Sequence, residues 1–443
     1  MGFRKSSFIV DCGLNSEGKR HYFNTLSRKF IFLPAELDDL ATRPDTDARV
    51  MEFLRKGRWL TEAPSYTDEL RDAIHLITAA GGESAALSLV FTVTTKCNLN
   101  CSYCFQNNTQ RQDAGEDIIA ALPGFIRRQA GARPALNKVR LSLFGGEPLL
   151  RQAACLTLLD SIQRECAALA LQFEGGIVTN GLGADPDFWQ AAAKFGLKKV
   201  QVTIDGSEKV HDSFRQLNGS GTYKPLLSLC ARLSKTFRVS LKYNLNRRSA
   251  MCFEEFIEDL AAYGFDKTNT DLVLEAVKGI DYNEAQNYYF PAASQESGDA
   301  YVSCADIALR SGWKVALTHI FQPPCMYTQV KPSAIVIRPD GGVSRCISVY
   351  NDDPDFSGGN ITATDLVFEN KDIAKTIEDS AEKCKAGKCP LFPVCMTGCP
   401  SYKKIHLKTI HTAFCRRGHV EKIIKDLGLL QKKHTKAFKQ LEF

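Results

Sequence analysis

SLVFTVTTKCNLNCSYCF, residues 88–105, decides the fold, because an apolar β-rich run is followed at once by three cysteines. The first part, SLVFTVTT, predicts a buried strand, since β-branched and aromatic residues dominate it and no turn signal interrupts it. Cys97, Cys101 and Cys104 then lie in the loop that leaves this strand. Folds of the α/β class place their chemistry in loops at the carboxyl ends of parallel strands. The sequence therefore predicts a thiol site at the end of the first strand of an α/β domain.

Residues 86–316 alternate between strand and helix patterns. The strand candidates are LSLVFTVTT, KVRLSLF, LQFEGGIVT, KKVQVTI, FRVSLKYNL and DLVLEAV. Amphipathic segments lie between them, such as DIIAALPGFIRRQ, QAACLTLLDSIQRECAALA, DPDFWQAAAKFG and FEEFIEDLAAYG. This alternation predicts parallel strands joined by right-handed crossovers. We favour a barrel or partial barrel, and an open sheet is the alternative that periodicity leaves open.

Residues 1–85 form a separate small α+β unit in this interpretation. SFIVDC and RHYFNT, separated by GLNSEGK, predict a β-hairpin. AELDDLA and ARVMEFLRKG predict two short helices that pack on the hairpin, and EAPSYTDE after them predicts a loop.

Residues 317–418 have a different character, with short strands, turns and seven cysteines. Because so little regular structure makes only a small core, we expect a covalent or metallic link to hold this loop-rich segment. Residues 419–443 contain VEKIIKDLGLLQKKHTKAFKQL, which predicts a basic amphipathic helix docked on the body of the protein.

The composition is that of an ordinary globular protein, with 44% hydrophobic and 24% charged residues and a net charge of +6 over 443 residues. This charge permits an acidic partner without requiring one, and we expect neither nucleic acid nor a membrane as a partner. No apolar run approaches the ~18 residues of a membrane span, and the start, MGFRKSSFIVDCGL, lacks the apolar core of a signal peptide. We therefore expect a cytoplasmic protein whose thiols stay reduced.

Sixteen cysteines in a reducing compartment need a role other than disulfides. Ten of them fall in two groups, and we interpret most of the other six as small buried hydrophobic residues. Those six are Cys12, Cys155, Cys166, Cys230, Cys252 and Cys304. Three thiolates in one loop suit an iron–sulfur cluster or zinc. A structural zinc site needs a fourth Cys or His nearby, and the residues that flank the three-cysteine loop supply neither.

CNLNCSYCF resembles the C-x3-C-x2-C loop of the radical S-adenosylmethionine (SAM) enzymes, including the aromatic Tyr103 before the last cysteine. FGGEP, VTNG, VTIDG and the arginine of KVHDSFR resemble further motifs of that superfamily, in the expected order. The resemblance implies a partial (β/α)6 barrel of the TIM type. It also implies a 4Fe-4S cluster held by three thiolates, with SAM chelating the fourth iron. One electron then cleaves SAM to a 5'-deoxyadenosyl radical, which abstracts a hydrogen atom from the substrate.

The same resemblance implies a set of residues around SAM. FGGEP lies at the amino group, Asp205 near the ribose, and Arg215 at the carboxylate, which suits a bidentate guanidinium. The implied SAM-binding residues are Gly145, Gly146, Glu147, Pro148, Thr179, Asn180, Thr203, Asp205 and Arg215.

The seven C-terminal cysteines resemble the SPASM domain, an extension of radical SAM enzymes that modify peptides, which holds two auxiliary 4Fe-4S clusters. The spacing agrees except at KAGK, where four residues separate two cysteines that are two apart in the family. The implied ligands are Cys384, Cys389, Cys395 and Cys415 for a distal cluster and Cys325, Cys346 and Cys399 for a proximal cluster. With three ligands, the proximal cluster has an open iron unless Cys304 reaches it. A substrate thiolate could bind there, and a water or another protein ligand is the alternative.

The first functional hypothesis is a maturase of a ribosomally made precursor peptide. Its radical would form an intrapeptide crosslink, thioether or carbon–carbon, with electrons from a reductant such as flavodoxin or ferredoxin. Three 4Fe-4S clusters and SAM are the cofactors that this hypothesis requires. Residues 1–85 would bind the leader of the peptide by adding a strand to the hairpin edge, or would only extend the packing of the barrel.

Two alternatives are weighed against it. An anaerobic sulfatase-maturing enzyme, which forms formylglycine, carries an Asp directly after the second SPASM cysteine, whereas here Ile347 follows Cys346, with Asp340 and Asp352 nearby. A non-enzymatic zinc or nucleic-acid module would leave the GGEP motif and the barrel pattern unexplained.

Overall fold

The computed structural model describes residues 3–14, 17–34, 36–43, 46–82, 84–106, 109–277, 289–290, 294–316, 325–349, 352–363, 366, 368 and 372–434. Its strands are β1 Arg4–Lys5, β2 Ile9–Leu14, β3 Arg20–Asn24, β4 Lys29–Leu33, β5 Leu60–Thr61, β6 Ala86–Thr94, β7 Lys138–Gly145, β8 Gln172–Thr179, β9 Leu197–Ile204, β10 Gln216–Leu217, β11 Ser220–Gly221, β12 Arg238–Leu245, β13 Thr270–Ala276, β14 Lys314–Ala316, β15 Ala334–Ile337, β16 Gly342–Ser344 and β17 Ser357–Asn360.

The helices are α1 Leu37–Thr42, α2 Ala48–Lys56, α3 Tyr66–Ala79, α4 Glu116–Gly131, α5 Gln152–Ala168, α6 Pro186–Lys194, α7 Glu208–Phe214, α8 Tyr223–Leu233, α9 Arg247–Met251, α10 Phe253–Ala262, α11 Gln295–Arg310, α12 Ile373–Ser380, α13 Glu382–Ala386, α14 Phe392–Cys395, α15 Pro400–Leu407 and α16 Arg417–Lys433. Short 3-10 turns lie at Pro148–Arg151 and Met326–Thr328.

The described residues build one ten-stranded sheet, in the order β14-β13-β12-β9-β8-β7-β6-β15-β16-β17. Within this sheet, β6, β7, β8, β9, β12, β13 and β14 pair with one another in parallel, with helices in the connections between them. All six strands expected from the sequence are present. The α/β architecture of a partial barrel is therefore confirmed, and β14 extends it by one strand that the sequence pattern did not indicate.

The core of this sheet follows from its side-chain alternation. In β6, Leu87, Leu89, Phe91 and Val93 are completely buried, because every second residue points to the same face of the strand. Parallel pairing aligns the carboxyl ends of neighbouring strands along one edge of the sheet. The loops that follow β6, β7, β8, β9 and β12 therefore meet at this edge, and the three-cysteine loop is the first of them.

The C-terminal cysteine segment continues the same sheet. β15 pairs in parallel with β6, and β16 and β17 follow as antiparallel strands. Four short helices, α12 to α15, follow, and two of them contain Cys384 and Cys395. The segment thus has more regular structure than the loop-rich pattern indicated.

The N-terminal unit is a three-stranded antiparallel sheet, β2-β3-β4, covered by helices. The expected hairpin and both expected helices are present, and β4 adds a third strand. The stretch EAPSYTDE is a loop only as far as Ser65, because the Ser65 hydroxyl accepts from the amide of Asp68 and begins α3.

Helix α3 joins the two ends of the chain. Its buried residues Leu70, Ile74 and Ile77 share one apolar cluster with Ile377 and Phe392 of the C-terminal segment. This segment is therefore held in part by ordinary hydrophobic packing, which the sequence argument for a covalent or metallic link left out.

Helix α16 docks on the body of the protein, as expected. Its apolar residues Val420, Ile423, Ile424, Leu427 and Leu430 are buried in the main core. Residues 435–443 of the predicted tail helix lie outside the described residues. None of the helices in the described ranges is both long and apolar enough to cross a membrane.

Two glycines let the loop after β7 pack against the loop after β6. A Cβ on Gly145, whose φ is +152°, would lie 2.0 Å from the Thr94 carbonyl oxygen, and one on Gly146 would lie 2.3 Å from the Lys96 carbonyl oxygen. Both distances are far below van der Waals contact with rigid backbone. Only glycine therefore permits the close approach that positions Cys97 beside the GGEP turn.

We predict that Gly146→Ala destabilises the protein by about 3 kcal/mol, because the loop before Cys97 must move. Urea unfolding of the purified variant measures this change. Gly131→Ala is the matched control, since nothing lies within 4 Å of its Cβ at the end of α4. The control should be neutral or stabilised by up to about 1 kcal/mol, and equal losses in both variants would contradict the interpretation.

Candidate functional site

The three-cysteine loop begins directly after β6, at the edge where the parallel strands end. Cys101 is buried, Cys97 and Cys104 are half-buried, and the Cys104 amide closes a turn onto the Cys101 carbonyl at 3.1 Å. The Leu99 amide donates to the Cys97 thiol at 3.4 Å. Burial raises the pKa of Cys101 to about 11 and also raises the pKa of Cys97. Burial thus favours the neutral thiols of Cys97 and Cys101, and a bound metal would be needed to compensate their thiolate charge.

Tyr103 ties this loop to the barrel. Its hydroxyl donates to Asp205 Oδ2 at 2.5 Å and accepts from Arg215 Nη2 at 2.6 Å. Arg215 Nε also bonds Asp205 Oδ2, and Asn244 donates to Asp205 Oδ1 at 2.7 Å. The four side chains come from the cysteine loop, the end of β9, the end of α7 and β12. They therefore fix the cysteine loop relative to three other elements.

Asp205 is completely buried and remains a carboxylate in this network. Burial is the largest effect and alone would raise the pKa of Asp205, but the adjacent Arg215 guanidinium and the hydrogen bonds from Tyr103 and Arg215, acting with the other neighbours of this carboxyl, together hold the pKa below its usual range. A buried ion pair of this kind is costly to break, since removing one partner leaves an uncompensated charge.

Glu147 of the GGEP turn forms a second buried centre. Its Oε1 accepts from the Thr179 hydroxyl at 2.6 Å and the Leu149 amide at 2.9 Å, and its Oε2 accepts from the Asn180 amide at 2.6 Å. Burial raises the pKa of Glu147 to about 7, although these hydrogen bonds favour the carboxylate. Glu147 therefore joins the ends of β7 and β8.

Asn180 connects that centre to the cysteine loop. Its side-chain amide donates to Asn98 Oδ1 at 2.7 Å and lies 4.0 Å from the Cys97 sulfur. Thr203 lies in β9, two residues before Asp205, on the same side of the strand. The structure thus brings the sequence-derived residues into two neighbouring groups, one around Glu147 and one around Asp205.

His211 is a buried site residue that the sequence analysis left out. Its Nδ1 accepts from the Asp205 amide at 3.3 Å, and its Nε2 lies 3.1 Å from the Thr222 hydroxyl. Thr222 donates its own proton to the Arg215 carbonyl at 2.8 Å, so Nε2 carries the ring hydrogen. Burial lowers the pKa of His211 to about 4. A neutral His211 therefore links the backbone of Asp205 to the backbone of Arg215.

Asn244 was also absent from the sequence-derived set. Its position near the carboxyl end of β12 could have indicated a site residue, because functional side chains of α/β folds cluster at the carboxyl ends of parallel strands. For His211 the sequence offered only the motif KVHDSFR, which does not indicate a buried orientation.

The C-terminal cysteines interact in two sets, one around Cys384 and one around Cys346. The distal set interacts electrostatically around Cys384, which has Cys389, Cys395 and Cys415 as neighbours. A hydrogen bond from Cys384 lowers the pKa of Cys389 to about 6. Despite the longer KAGK spacing, Cys384 therefore lies with its predicted partners.

The proximal set is assembled around Cys346, whose thiol interacts with Cys399 and Cys325. Burial raises the pKa of Cys346 to about 12. Cys304 is 1% exposed and lies in the barrel core near Cys252, so it is not a member of this group.

The other scattered cysteines follow the expectation of buried apolar residues, with one exception. Cys12, Cys155, Cys166 and Cys230 are all buried in the main core. Cys252 is half-buried, and its thiol accepts from the Ser207 amide at 3.2 Å beneath the turn after Asp205.

The donor sets fit iron–sulfur chemistry better than a single metal ion. Within the described ranges, no three His, Cys, Asp or Glu side chains converge closely enough to share one ion. A four-iron cluster makes a different demand, because each thiolate binds its own iron and the thiols stay farther apart. Three thiols in one loop match that demand.

A family model, described as the Radical SAM superfamily, matches residues 91–260, which contain the three-cysteine loop and both buried centres. A radical SAM domain implies a 4Fe-4S cluster and SAM. The probable GTP 3',8-cyclase of Archaeoglobus fulgidus is 24% identical over 211 residues, which are 47% of this chain and 66% of that relative. The chain therefore spans less than two thirds of the length of this relative.

Solved structures share the fold over more of the chain. anSMEcpe, solved with AdoMet and the Cp18Cys peptide, covers 81% of this chain and 100% of its own, with 16% identity and a TM-score of 0.61. Streptococcus suis SuiB, solved with the precursor peptide SuiA, covers 93% of this chain and 98% of its own, with 14% identity and a TM-score of 0.54. At these identities the likeness concerns the fold alone.

We predict that His211 makes the protein less stable as the pH falls from 6.5 to 4. The pKa is lowered in the folded state, so the unfolded chain takes up a proton that the folded protein excludes. Between pH 7 and pH 5 the wild type should lose about 2 kcal/mol more than His211→Gln.

Urea unfolding of both proteins at the two pH values checks this difference. His75→Gln is the control, because His75 is exposed in α3. An equal pH dependence in wild type and His211→Gln would contradict the buried neutral state of His211.

Proposed function

The chain carries a radical SAM domain in residues 91–260, and we propose that it is a maturase that crosslinks a ribosomally made precursor peptide. The observation that carries this proposal is the assembly of seven C-terminal cysteines into groups of four and three on the sheet of that domain. The peptide-bound structures of anSMEcpe and SuiB, which share this fold, support a peptide as the substrate.

Cys97, Cys101 and Cys104 would hold the 4Fe-4S cluster of the radical SAM domain. When bound, this cluster and SAM supply the reductive cleavage that yields the 5'-deoxyadenosyl radical. Glu147 and the backbone of the GGEP turn would bind the amino group of SAM, with Thr179 and Asn180 as neighbours. These residues exclude water because the Glu147 and Asn180 side chains are buried.

Asp205 and Arg215 would bind the ribose and the carboxylate of SAM. The described contacts of Arg215 use Nε and Nη2, so Nη1 remains for a carboxylate. The Asp205 carboxylate, with Thr203 on the same strand, would lie near the ribose. Tyr103 and Asn244 orient this pair and need not touch SAM themselves.

We predict that Cys101→Ala abolishes formation of 5'-deoxyadenosine while the protein retains about 8 of about 12 iron atoms, because two C-terminal clusters remain. Anaerobic reconstitution, iron analysis and chromatography of the nucleoside products measure both quantities. Cys230→Ala is the matched control, since this buried cysteine belongs to neither group. Continued 5'-deoxyadenosine formation by Cys101→Ala would overturn the proposed role of the loop.

The C-terminal groups would complete a set of three 4Fe-4S clusters. Cys384, Cys389, Cys395 and Cys415 would fill all four positions of the distal cluster. The three proximal thiols leave one position for another ligand, and we propose a cysteine thiolate of the peptide as that ligand. A reductant such as flavodoxin or ferredoxin would supply the electrons, and the net charge of +6 suits such acidic proteins.

Residues 1–85 would bind the leader of the precursor. In the part of the chain that the structure describes, β4 is the edge strand of the order β2-β3-β4, and an edge strand is a site where an extended peptide can add. An apolar groove of about 630 Å³ runs beside it, lined by Ile31, Phe32 and the exposed residues Val50 and Phe53 of α2. The match to SuiB covers 93% of this chain and leaves about 31 of the 443 residues unmatched. The N-terminal unit has 85 residues, so most of it must lie within the match. The SuiB fold therefore includes most of the unit, and that structure contains a precursor peptide.

We predict that co-expression with the precursor peptide removes two hydrogens from the peptide for each crosslink, because each crosslink replaces two bonds to hydrogen. Phe53→Asp should lower the crosslinked fraction at least tenfold while 5'-deoxyadenosine formation without peptide stays unchanged, because the leader loses its apolar contact. The peptide is to be sought as a short reading frame beside the gene, and mass spectrometry of the co-expressed peptide gives the fraction.

Leu429→Asp is the matched control for this substitution. Leu429 lies on α16 and is 55% exposed, close to the 58% of Phe53, but it is distant from the groove in sequence and element. Equal crosslinking by Phe53→Asp and wild type would refute the leader site. An unchanged peptide mass with the wild type would refute the maturase proposal.

The formylglycine-forming alternative receives less support from the geometry. Ile347 occupies the position after Cys346, and the two nearby carboxylates, Asp340 and Asp352, both pair with the buried guanidinium of Arg338. Neither carboxylate is an unengaged base.

A further inference from the structure

Lys403 is a buried lysine among the C-terminal cysteines. It lies in α15, one helical turn after Cys399, and its amide donates to the Cys399 carbonyl at 2.9 Å. Only 3% of the residue is exposed. Lysine is almost never buried to this degree unless an anion pairs with it, because an ammonium is costly to desolvate. Lys403 therefore requires a negative partner.

No carboxylate is that partner in the part of the chain that the structure describes. The side-chain group that accepts from Lys403 Nζ is the neutral hydroxyl of Thr397, at 3.1 Å. The ionisable groups that interact with the ammonium are the side chains of Cys395, Cys399 and Cys384, which are anions when they are thiolates. Two of these belong to the proposed distal group and Cys399 to the proximal group, so Lys403 faces both.

A directed chain of hydrogen bonds holds the ammonium in this position. The Ser380 hydroxyl donates to the Ile377 carbonyl at 2.9 Å, so it accepts from the Thr397 hydroxyl at 2.8 Å. The Thr397 oxygen then accepts from Lys403. All of these side-chain groups are buried, so solvent does not compete with the chain of bonds.

The same contact supports an unusual turn. Met396, Thr397 and Gly398 have φ values of 45°, 62° and 99°, a left-handed run between Cys395 and Cys399. A β-branched residue adopts this conformation only where its surroundings hold it. The turn therefore fixes one cysteine of each group and Lys403 relative to one another.

We propose that Lys403 is a counter-cation shared by the two C-terminal iron–sulfur groups and that it raises their reduction potentials. This inference rests on the proposed function, in which the seven cysteines hold two clusters. Reduction of either group adds one electron from the donor and no proton, so its negative charge grows by one. A fixed ammonium stabilises the more negative form, and burial prevents water from screening it.

Three substitutions test the charge separately from the packing. Lys403→Gln removes the charge but keeps a donor for Thr397, and Lys403→Arg keeps the charge. Lys383→Gln is the matched control, because Lys383 is exposed next to Cys384 and its loss changes the net charge equally. Each is made in the full chain with the three loop cysteines replaced by alanine, so that only the C-terminal clusters contribute to the EPR signal.

A dithionite titration followed by EPR gives the potentials, and iron analysis gives the occupancy. At a fixed potential near the midpoint, Lys403→Gln should show at least a tenfold lower ratio of reduced to oxidised cluster, about 59 mV for one electron. Lys403→Arg and Lys383→Gln should match the parent.

Equal potentials in Lys403→Gln and the parent, at equal iron content, would overturn the inference and leave the proposed function standing. Loss of iron from both Lys403 variants would assign the residue a packing role and also overturn it. A parent protein that takes up no C-terminal iron would refute the cluster assignment in the proposed function, and the inference with it.

Discussion

The buried contact among Tyr103, Asp205 and Arg215 is the constraint on which the site depends. A cysteine loop is by itself a flexible connection, and nothing in its covalent structure holds three thiols toward one point. Tyr103 removes that freedom, because its hydroxyl bonds a buried carboxylate and a buried guanidinium at once. Hydrogen bonds to charged groups contribute about 1.5–3 kcal/mol each, so the loop is anchored more firmly than its length indicates.

This anchor works only because the ends of the parallel strands meet at one edge. The glycines after β7 bring the GGEP turn onto the backbone before Cys97, and Glu147 then bonds the end of β8. His211 braces the opposite side, where Asp205 and Arg215 leave β9 and α7. The parallel strands thus bring the loops of the site together, and the buried polar groups between the strand ends orient the side chains of those loops. A short cysteine motif outside this sheet would have neither the neighbouring loops nor the buried polar contacts.

The sequence predicted the features that depend on local pattern. Six strands, the helices between them and both cysteine groups follow from periodicity and spacing, and the structure has them in those places. Features that depend on distant partners were not accessible. The parallel pairing of β15 with β6 joins residues far apart in the chain, and short strands carry little pattern. His211, Asn244 and Lys403 are polar residues on ordinary-looking segments, and only their burial marks them as important.

Contacts between the N-terminal unit and the C-terminal segment hold the backbone at Cys389 and Pro390 in place, which the spacing of the cysteines does not show. The Tyr66 hydroxyl donates to the Cys389 carbonyl at 3.0 Å, and the Thr25 hydroxyl donates to the Pro390 carbonyl at 2.6 Å. Both donors belong to the N-terminal unit, and both acceptors lie in the loop between α13 and α14. Because burial of an Ile or Phe side chain contributes about 1.5–3 kcal/mol, the apolar cluster behind these bonds is a substantial source of stability. The N-terminal unit therefore helps to position the backbone beside Cys389, and a displacement of α3 would reach that backbone directly.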